Sequence, residues 1–422
     1  MPRLSEDLQF RGIVHQVTDG GLVARLDGER VTMYIGFDPT GPSLHIGSLL
    51  QLVTLRRFQL AGHRPIALAG GGTALIGDPG GKSAERRLLS RQELDGYLEG
   101  IRPQLARFID LEDGLLLDNS SWLGSVPVLD FLRDVGKHFT VNQMVAKDAV
   151  RARFDRPDQG ISYTEFSYML LQAYDFLRLH AAPGCELQVG GSDQWGNITM
   201  GVELIRRVTG SGAFGLTTPL VTKPDGSKFG KTEDGAVWLD PAMTSPYRMY
   251  QFLLQASDGE VGGYLRYFTF LSHEAILALD AETAERPQRR AAQRALAREV
   301  CVLVHGEEET ARAERASAAL FGEEIAALDE PMLLQVVAEA PSSAVSRSAL
   351  LSGKVTLVDA LVSSDLASSR AEARRTVAQG GAYLNNLRQE DPERALAESD
   401  LLHRRYIVLR RGRRDYHLLT VE

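Results

Sequence analysis

The order of apolar and polar positions divides the chain into a stretch of short alternating runs and a stretch of helical periodicity. Residues Val31 to Phe37 alternate: Val31, Met33, Ile35 and Phe37 fall on one side, Thr32, Tyr34 and Gly36 on the other, and Asp38 follows on that second side. A period of two predicts a strand. A helix is predicted from about Gly47 to Leu60, a strand over Pro65–Ala69 that enters a glycine-rich loop, and another over Leu187–Val189 that again ends in glycines. Short apolar runs interleaved with helical patterns predict βα units around a mostly parallel sheet. From about Thr244 to Phe321 the pattern turns helical, with Ser272–Ala284 and Arg286–His305 the clearest helices. The segment Ala340–Ser346 reads as a linker. A module of about seventy residues closes the chain.

Composition narrows the class. The 422 residues are 44% hydrophobic and 24% charged, which is globular and suggests two or three domains. No run of eighteen apolar residues occurs, so no membrane span is expected, and Met1–Gly12 holds charges instead of a signal-peptide core. The two cysteines, Cys185 and Cys301, have no metal-ligand spacing, which points to a reducing cytoplasm without structural disulfides. The net charge of −8 weighs against nucleic-acid binding, but residues 353–422 carry twelve Lys+Arg against ten Asp+Glu, so the tail is relatively basic.

Five segments hold residues suited to chemistry. In Tyr34-Ile35-Gly36-Phe37-Asp38-Pro39-Thr40, followed by Gly41 to Ser48, a strand leads through a Pro/Gly loop into a helix. Helix-start N–H groups favour phosphate, Gly36 and Gly47 leave room for a nucleotide, and His45 can donate to a phosphate as charge develops; a simple helix cap is the plainer alternative. In Ser162–Phe176, Ser162 and Glu165 make a possible capping box, and Tyr168, Gln172 and Asp175 line one face of an otherwise apolar helix. Such a stripe must find partners, whether solvent, another domain or a ligand. Gln188-Val189-Gly190-Gly191-Ser192-Asp193-Gln194 places a carboxylate after a strand end, where a ribose can bond it. Lys223 to Thr232 sets Lys228 and Lys231 three apart in a Gly-bearing loop, either solvated or poised over a polyphosphate. In the tail, Ser369 and Glu372 form a capping box, Gly380-Gly381 a stop, and Arg370, Arg374 and Arg375 lie between them. Gly77–Ser83 is one residue short of a phosphate-binding P-loop, and Gly70-Gly71-Gly72 does not complete a dinucleotide fingerprint.

The run His45-Ile46-Gly47-Ser48 resembles the HIGH signature of class I aminoacyl-tRNA synthetases, with Ser48 in place of the second histidine. Lys-Phe-Gly-Lys-Thr at 228–232 resembles the KMSKS signature in its tyrosyl form, and Ser162–Phe176 and Gln188–Asn197 are similar to the substrate segments of bacterial tyrosyl-tRNA synthetases. The resemblance implies that Tyr34 and Asp175 bind a substrate phenol, that Asp78, Tyr168 and Gln172 bind its α-ammonium, that Gln188 supports the pocket, and that Gln194 lies near the carboxylate. It implies ATP binding by Gly36, Asp38, Thr40, His45, Gly47, Ser48, Gly191, Asp193, Lys228 and Lys231, with His45, Lys82, Arg86, Lys228, Lys231 and Thr232 stabilising charge. Asn119 in Asp118-Asn119-Ser120-Ser121-Trp122 matches the family's Asn-Asn-x-x-Trp only in part. A site that pairs a hydroxyl rejects phenylalanine by about 10⁵, a magnitude known for tyrosyl-tRNA synthetases themselves.

The implied architecture is α/β: a Rossmann-like parallel-sheet catalytic domain at 1–235 with a connective insertion at about 120–180, an α-helical domain at 236–325, a linker at 326–350, and an α+β S4-type RNA-binding domain at 351–422 that clasps tRNA through Arg370, Arg374 and Arg375. The implied reaction is tyrosine activation by ATP followed by transfer to tRNA(Tyr), with Mg²⁺ carried by the nucleotide, no protein metal site, and a homodimer in the cytoplasm. Three alternatives stay open on the sequence: a non-catalytic RNA-binding protein on a synthetase scaffold, a synthetase for another amino acid such as tryptophan, and a general nucleotidyltransferase.

Overall fold

A computed structural model describes residues 2–79, 87–147, 150–151, 160–222, 229–232, 235–319, 323–338, 340–412 and 415–422. They divide into two compact units, residues 1–244 with 256–304 and residues 245–255 with 305–422.

The first unit is built on six strands: β1 Gln16–Val17, β2 Thr32–Phe37, β3 Arg64–Ala69, β4 Leu115–Asp118, β5 Leu187–Gly191 and β6 Phe214–Thr218, in the spatial order β1-β6-β5-β2-β3-β4. Only the β1–β6 pairing is antiparallel. Parallel strands need cover on both faces. Accordingly Met33 and Ile35 on one side of β2 and Tyr34 on the other are all buried. Tyr34 clusters with Ile66 and Leu68 of β3, with Phe176 and Leu179 of the helix Tyr163–Ala181, and with Ile205 of the helix Trp195–Thr209. The helices Leu49–Leu60 and Arg91–Phe108 also pack on the sheet.

Chain order reverses between β2 and β5, since β3 and β4 add on one side and β6 on the other. In open parallel sheets that reversal leaves a crevice at the carboxyl ends of the strands. Gly36-Phe37-Asp38 and Gly190-Gly191 stand on its two sides. The loop after β2 is held from the helix Arg91–Phe108: Leu44 N–H donates to Gln104 Oε1 at 2.9 Å, and Gln104 Nε2 donates to Ser43 Oγ at 2.9 Å. Gly100 permits this approach, because a Cβ there would stand 2.0 Å from the Pro42 carbonyl.

Two short strands follow, β7 Lys231–Thr232 and β8 Gly235–Ala236. The expected helix at Arg286–His305 begins at Ala291: Pro287–Arg289 forms a separate turn and Arg290 takes a left-handed φ of 49°. The helices Asp258–Phe268 and His273–Glu285 belong to the sheet unit, whereas Pro246–Leu254 and Glu307–Ala319 pack together in the second unit, so the expected helical domain at 236–325 is shared between the two.

The second unit carries a five-stranded sheet of β9 Ser342–Val345, β10 Ala382–Leu384, β11 Leu387–Gln389, β12 Tyr406–Arg411 and β13 Asp415–Val421, ordered β11-β10-β12-β13-β9. Its inner face packs on the helices Leu357–Ser363 and Arg370–Ala378. The expected linker at 326–350 is structured. It contains the helix Glu330–Val336, capped by Asp329, then β9 and the helix Arg347–Leu351. The Ala/Pro/Ser composition concealed β9, which pairs in parallel with β13 some seventy residues later. Among the described residues no helix is long and apolar enough to cross a membrane.

A buried ionic cluster ties the sheet unit together. Asp7, on the helix Leu4–Phe10, accepts from Arg11 Nε at 2.8 Å and Arg57 at 2.7 Å, and meets His273 Nε2 at 2.8 Å. Arg11 and Arg57 both donate onward to the Thr269 carbonyl. Burial alone would raise the Asp7 pKa, but Arg57, Arg11 and His273 hold it below the usual carboxylate value. Asp7→Asn strands two buried guanidinium groups, so we expect a loss of roughly 3–5 kcal/mol, read as a lower urea midpoint at unchanged m-value. Because the folded pKa is depressed, this contribution is complete above the unfolded value near about 3.9 and disappears as pH falls through the folded one. The variant should therefore lose less stability than the parent on acidification; equal acid sensitivity would remove Asp7 from that role.

Candidate active site

The crevice begins at His45. It caps the turn Ile46–Ser48, and its Nδ1 accepts from Gly47 N–H at 3.0 Å. That bond assigns the ring proton to Nε2, which makes the imidazole a donor on its other edge. Gly47 is required, since a Cβ there would lie 2.7 Å from the His45 ring. Ser48 is half-buried at the start of the helix Leu49–Leu60 and makes no capping hydrogen bond. Among the described residues no atom lies within 4 Å of a Cβ position at Gly36, at the end of β2, and Thr40 is exposed on the loop.

The segment after β6 returns to this turn by backbone pairing. Ile46 N–H donates to Val237 O at 2.8 Å, Leu239 N–H to Leu44 O at 2.8 Å and Val237 N–H to Gly230 O at 3.0 Å. Gly230 has φ +85°, and a Cβ there would meet Ile46 at 2.4 Å. Phe229 is buried against Tyr264 and Phe268, with ring centroids at 4.6 and 5.2 Å. The structure thus joins the two signature segments at residues 44–47 and 229–239. Lys231 and Thr232 lie in β7 by their backbone; Lys82, Arg86 and Lys228 lie outside the described residues.

Deeper in the crevice stands Asp175, 2% exposed. Its Oδ1 accepts from Trp122 Nε1 at 2.7 Å and its Oδ2 from Asn119 Nδ2 at 2.8 Å. Burial pushes its pKa up to about 8 against the pull of these two donors, with Asp38 and Asp118 adding to the rise. Burial, then the Asp175 charge, also raises the Tyr34 phenol well above its ordinary value. Among the described residues the Tyr34 hydroxyl, which is buried, has no hydrogen-bond partner, and neither has Gln188 Oε1 on the neighbouring strand. Tyr34 and Gln188 are register partners of β2 and β5, so both face the same side of the sheet. Two orphaned polar atoms beside a buried carboxylate leave a polar demand that the protein itself does not meet.

At the other end, Tyr168 donates to Asp38 Oδ2 at 2.8 Å and Gln194 Nε2 donates to Asp78 Oδ2 at 2.6 Å. Asn197, which the sequence reading did not single out, joins the stripe by donating to Gln172 Oε1 at 3.1 Å and Gln194 Oε1 at 3.2 Å. Asp193 is exposed at the crevice edge, and Gly191 makes room for it, as a Cβ there would lie 2.6 Å from its Oδ1. Thr73 was also missed; its hydroxyl donates to Asp38 Oδ1 at 2.7 Å. The signal was the triple glycine before it. A Cβ at Gly70 would stand 1.9 Å from Asp38 Oδ1, at Gly71 2.4 Å from Asp118 Oδ1 and at Gly72 2.9 Å from Leu123.

In the second unit Arg370, Arg374 and Arg375 are exposed on the helix Arg370–Ala378. Arg370 pairs with Asp359, and Arg374 pairs with Glu393 at 2.7 Å. Exposed pairs of this kind contribute little, so exchanging a carboxylate for a phosphate costs little. The expected capping box is shifted by one residue: Ser369 Oγ accepts from Glu372 N–H, but the Glu372 carboxylate accepts from Ser368. The sheet adds a cross-strand row in which Arg410 lies 3.7 Å from the Tyr383 ring and 5.8 Å from that of Tyr416.

A histidine turn tied to a Gly–Lys segment beside the switch point of a parallel sheet, with a buried acid beside a phenol, is the arrangement of a class I aminoacyl-tRNA synthetase. Residues 26–322 match the family described as tRNA synthetases class I (W and Y), and residues 334–419 match the tyrosine–tRNA ligase SYY-like C-terminal domain. Tyrosine–tRNA ligases from Roseiflexus castenholzii and Geobacillus stearothermophilus are 54% and 51% identical to this chain, over 100% of both chains in the first case and 99% of both in the second. Among solved structures, a C-terminally truncated mitochondrial tyrosyl-tRNA synthetase from Aspergillus nidulans superposes with TM-score 0.69 at 32% identity, covering 76% of this chain and 95% of that one. The chain belongs to the tyrosyl-tRNA synthetases.

The glycines separate crevice space from packing space. Gly71→Ala should cost about 1–3 kcal/mol by overpacking. Gly36→Ala should leave stability within about 0.5 kcal/mol yet weaken binding of a non-hydrolysable ATP analogue, measured by calorimetry. Unchanged ATP-analogue affinity in Gly36→Ala would mean that the open space at β2 is not where the nucleotide lies.

Proposed function

We infer that the protein activates tyrosine with ATP, forming tyrosyl-adenylate and pyrophosphate, and transfers the tyrosyl group to the terminal adenosine of tRNA(Tyr). The observation that carries the choice of amino acid is the unpartnered Tyr34 hydroxyl beside buried Asp175. A substrate phenol would donate to the Asp175 carboxylate and accept from Tyr34, satisfying both. Tryptophan and phenylalanine offer no hydroxyl there, so the Tyr34 hydroxyl stays unmet and Asp175 gains no further donor.

At the opposite end Asp78, Tyr168 and Gln172 hold the ammonium, and Gln194 lies by the carboxylate. Asp193 bonds the ribose, while Gly36, Asp38, Thr40, Gly47, Ser48 and Gly191 surround the nucleotide. The tyrosine carboxylate attacks the α-phosphorus in line, and the P–O bond to pyrophosphate breaks. The protein's contribution is position and charge stabilisation. His45 donates from Nε2, and Lys82, Arg86, Lys228, Lys231 and Thr232 would supply the charge stabilisation for the leaving pyrophosphate. Magnesium enters as the counter-ion of the ATP phosphates and lowers their charge. Arg370, Arg374 and Arg375 contact RNA phosphates.

We also propose a cytoplasmic homodimer. Val128, Leu129, Leu132, Val141 and Tyr163 are 45–75% exposed, and exposed large apolar side chains of this kind support self-association. Leu129→Glu should shift sedimentation toward the monomer; a parent chain that sediments as a monomer at micromolar concentration would dismiss the dimer.

Pyrophosphate exchange with tyrosine, phenylalanine and tryptophan in parallel tests the reaction. Tyrosine alone should support it, and equal rates with tryptophan would overturn the assignment. Because Asp175 titrates at about 8 and binds a phenol best as the carboxylate, the KM for tyrosine should fall as pH rises through 8. Asn119→Ala removes a donor to the carboxylate, so it should move that midpoint upward. A tyrosine KM flat from pH 6.5 to 9 would exclude Asp175 as the titrating acceptor.

A further inference from the structure

The phenol and ammonium ends of the pocket are joined by one continuous run of hydrogen bonds. Asn119 Nδ2 donates to Asp175 Oδ2 at 2.8 Å and to Thr73 Oγ1 at 3.0 Å. Thr73 passes its single hydroxyl hydrogen to Asp38 Oδ1 at 2.7 Å, and Asp38 Oδ2 accepts from Tyr168 at 2.8 Å. Thr73 and Asn119 are 2% and 1% exposed, so water does not substitute for either.

The donor count fixes the direction of this run. A threonine hydroxyl has one hydrogen. Given to Asp38, it leaves Oγ1 only as an acceptor toward Asn119. The Asn119 amide must then turn its NH₂ toward Thr73 and Asp175 and its carbonyl toward Gly72 N–H, which it meets at 2.6 Å. The reverse orientation would set a carbonyl oxygen against the Asp175 carboxylate, a repulsive contact in a buried site.

We propose that Thr73 is a positioning residue for amino-acid selection: by orienting Asn119 it fixes Asp175 for the phenol and couples that end of the pocket to Asp38 and Tyr168. The proposal rests on the reading of the pocket as a tyrosine site. Thr73 touches no reacting atom and acts through Asn119. A purely structural role would lower the activation of every amino acid alike, whereas the relay bears on the hydroxyl specifically.

Thr73→Val keeps the shape and removes the hydroxyl, leaving Asp38 and Asn119 each short of a partner. In pyrophosphate exchange its kcat/KM for tyrosine should fall about 10- to 100-fold, mostly through KM, while the value for phenylalanine changes less than about 3-fold. Selectivity for tyrosine then drops by about tenfold or more. Thr73→Ser should restore it, the tyrosine KM midpoint in pH should move upward as in Asn119→Ala, and the Thr73→Val/Asn119→Ala double variant should lose less than the two single losses combined. If Thr73→Val does not fold, Thr73→Ala supplies the same comparison. Equal losses for tyrosine and phenylalanine, no rescue by serine, or additive losses in the double variant would each overturn the relay. Absence of tyrosine-dependent exchange in the parent chain would instead overturn the reading of the pocket.

Discussion

A carboxylate held out of water has to be surrounded by donors, and the Asp175 neighbourhood follows from that requirement. Burial disfavours the charged form, and two hydrogen bonds, from Trp122 and Asn119, work against it. Supplying those donors fixes the end of β4 and the turn after it. Asn119 is anchored by its own N–H to the Ala69 carbonyl and by Gly72 N–H to its side chain. Leu123 and Asp118 then press on the Gly70–Gly72 turn so closely that side chains there have no room. An apolar residue at 175 would pack at lower cost, and the phenolic ligand proposed for the pocket accounts for the carboxylate there.

The second constraint is the distance between the histidine turn and the segment after β6. These are joined by main-chain hydrogen bonds at Ile46 and Leu239 and by the contact of Gly230 with Ile46. Backbone pairing fixes separation more tightly than side-chain contact does, since it leaves no rotamer freedom. The stack of Phe229 on Tyr264 and Phe268 then extends the constraint to the helix Asp258–Phe268. The same helix leads into Thr269, whose carbonyl takes Arg11 and Arg57 from the Asp7 cluster. The ionic cluster and the signature segments thus meet at the C-terminal end of the same helix.

Much of this was legible in the sequence where local pattern and chemistry coincide. Strands β2, β3 and β5, the helix after His45 and the stripe Tyr168–Gln172–Asp175 follow from periodicity, and the signature segments from their residues. What was illegible depended on partners distant in sequence. Strand β9 looks like a linker because its own composition is Ser/Ala, and only β13 makes it a strand. Thr73 looks like any loop threonine until Asp38 and Asn119 close on it from 35 and 46 residues away. The triple glycine is visible in the sequence, but its meaning as packing space requires the side chains around it. Trp122 was quoted as part of a family string, and its bond to Asp175 belongs to the same class of long-range partnership.

Ser48 is the departure that geometry explains best. The placement of His45 depends on the Gly47 N–H at its Nδ1 and on the Ser48 N–H at its carbonyl. The first requires glycine at 47, and the second is supplied by any residue with an amide hydrogen. An imidazole at 48 therefore contributes nothing to holding His45, and serine there leaves the turn, its capping bond and the donor edge at Nε2 intact. What serine gives up is reach, since its hydroxyl lies closer to the backbone than an imidazole nitrogen would. The half of the signature that sets geometry is His-Ile-Gly, and the main-chain bond at position 48 asks nothing of the side chain there.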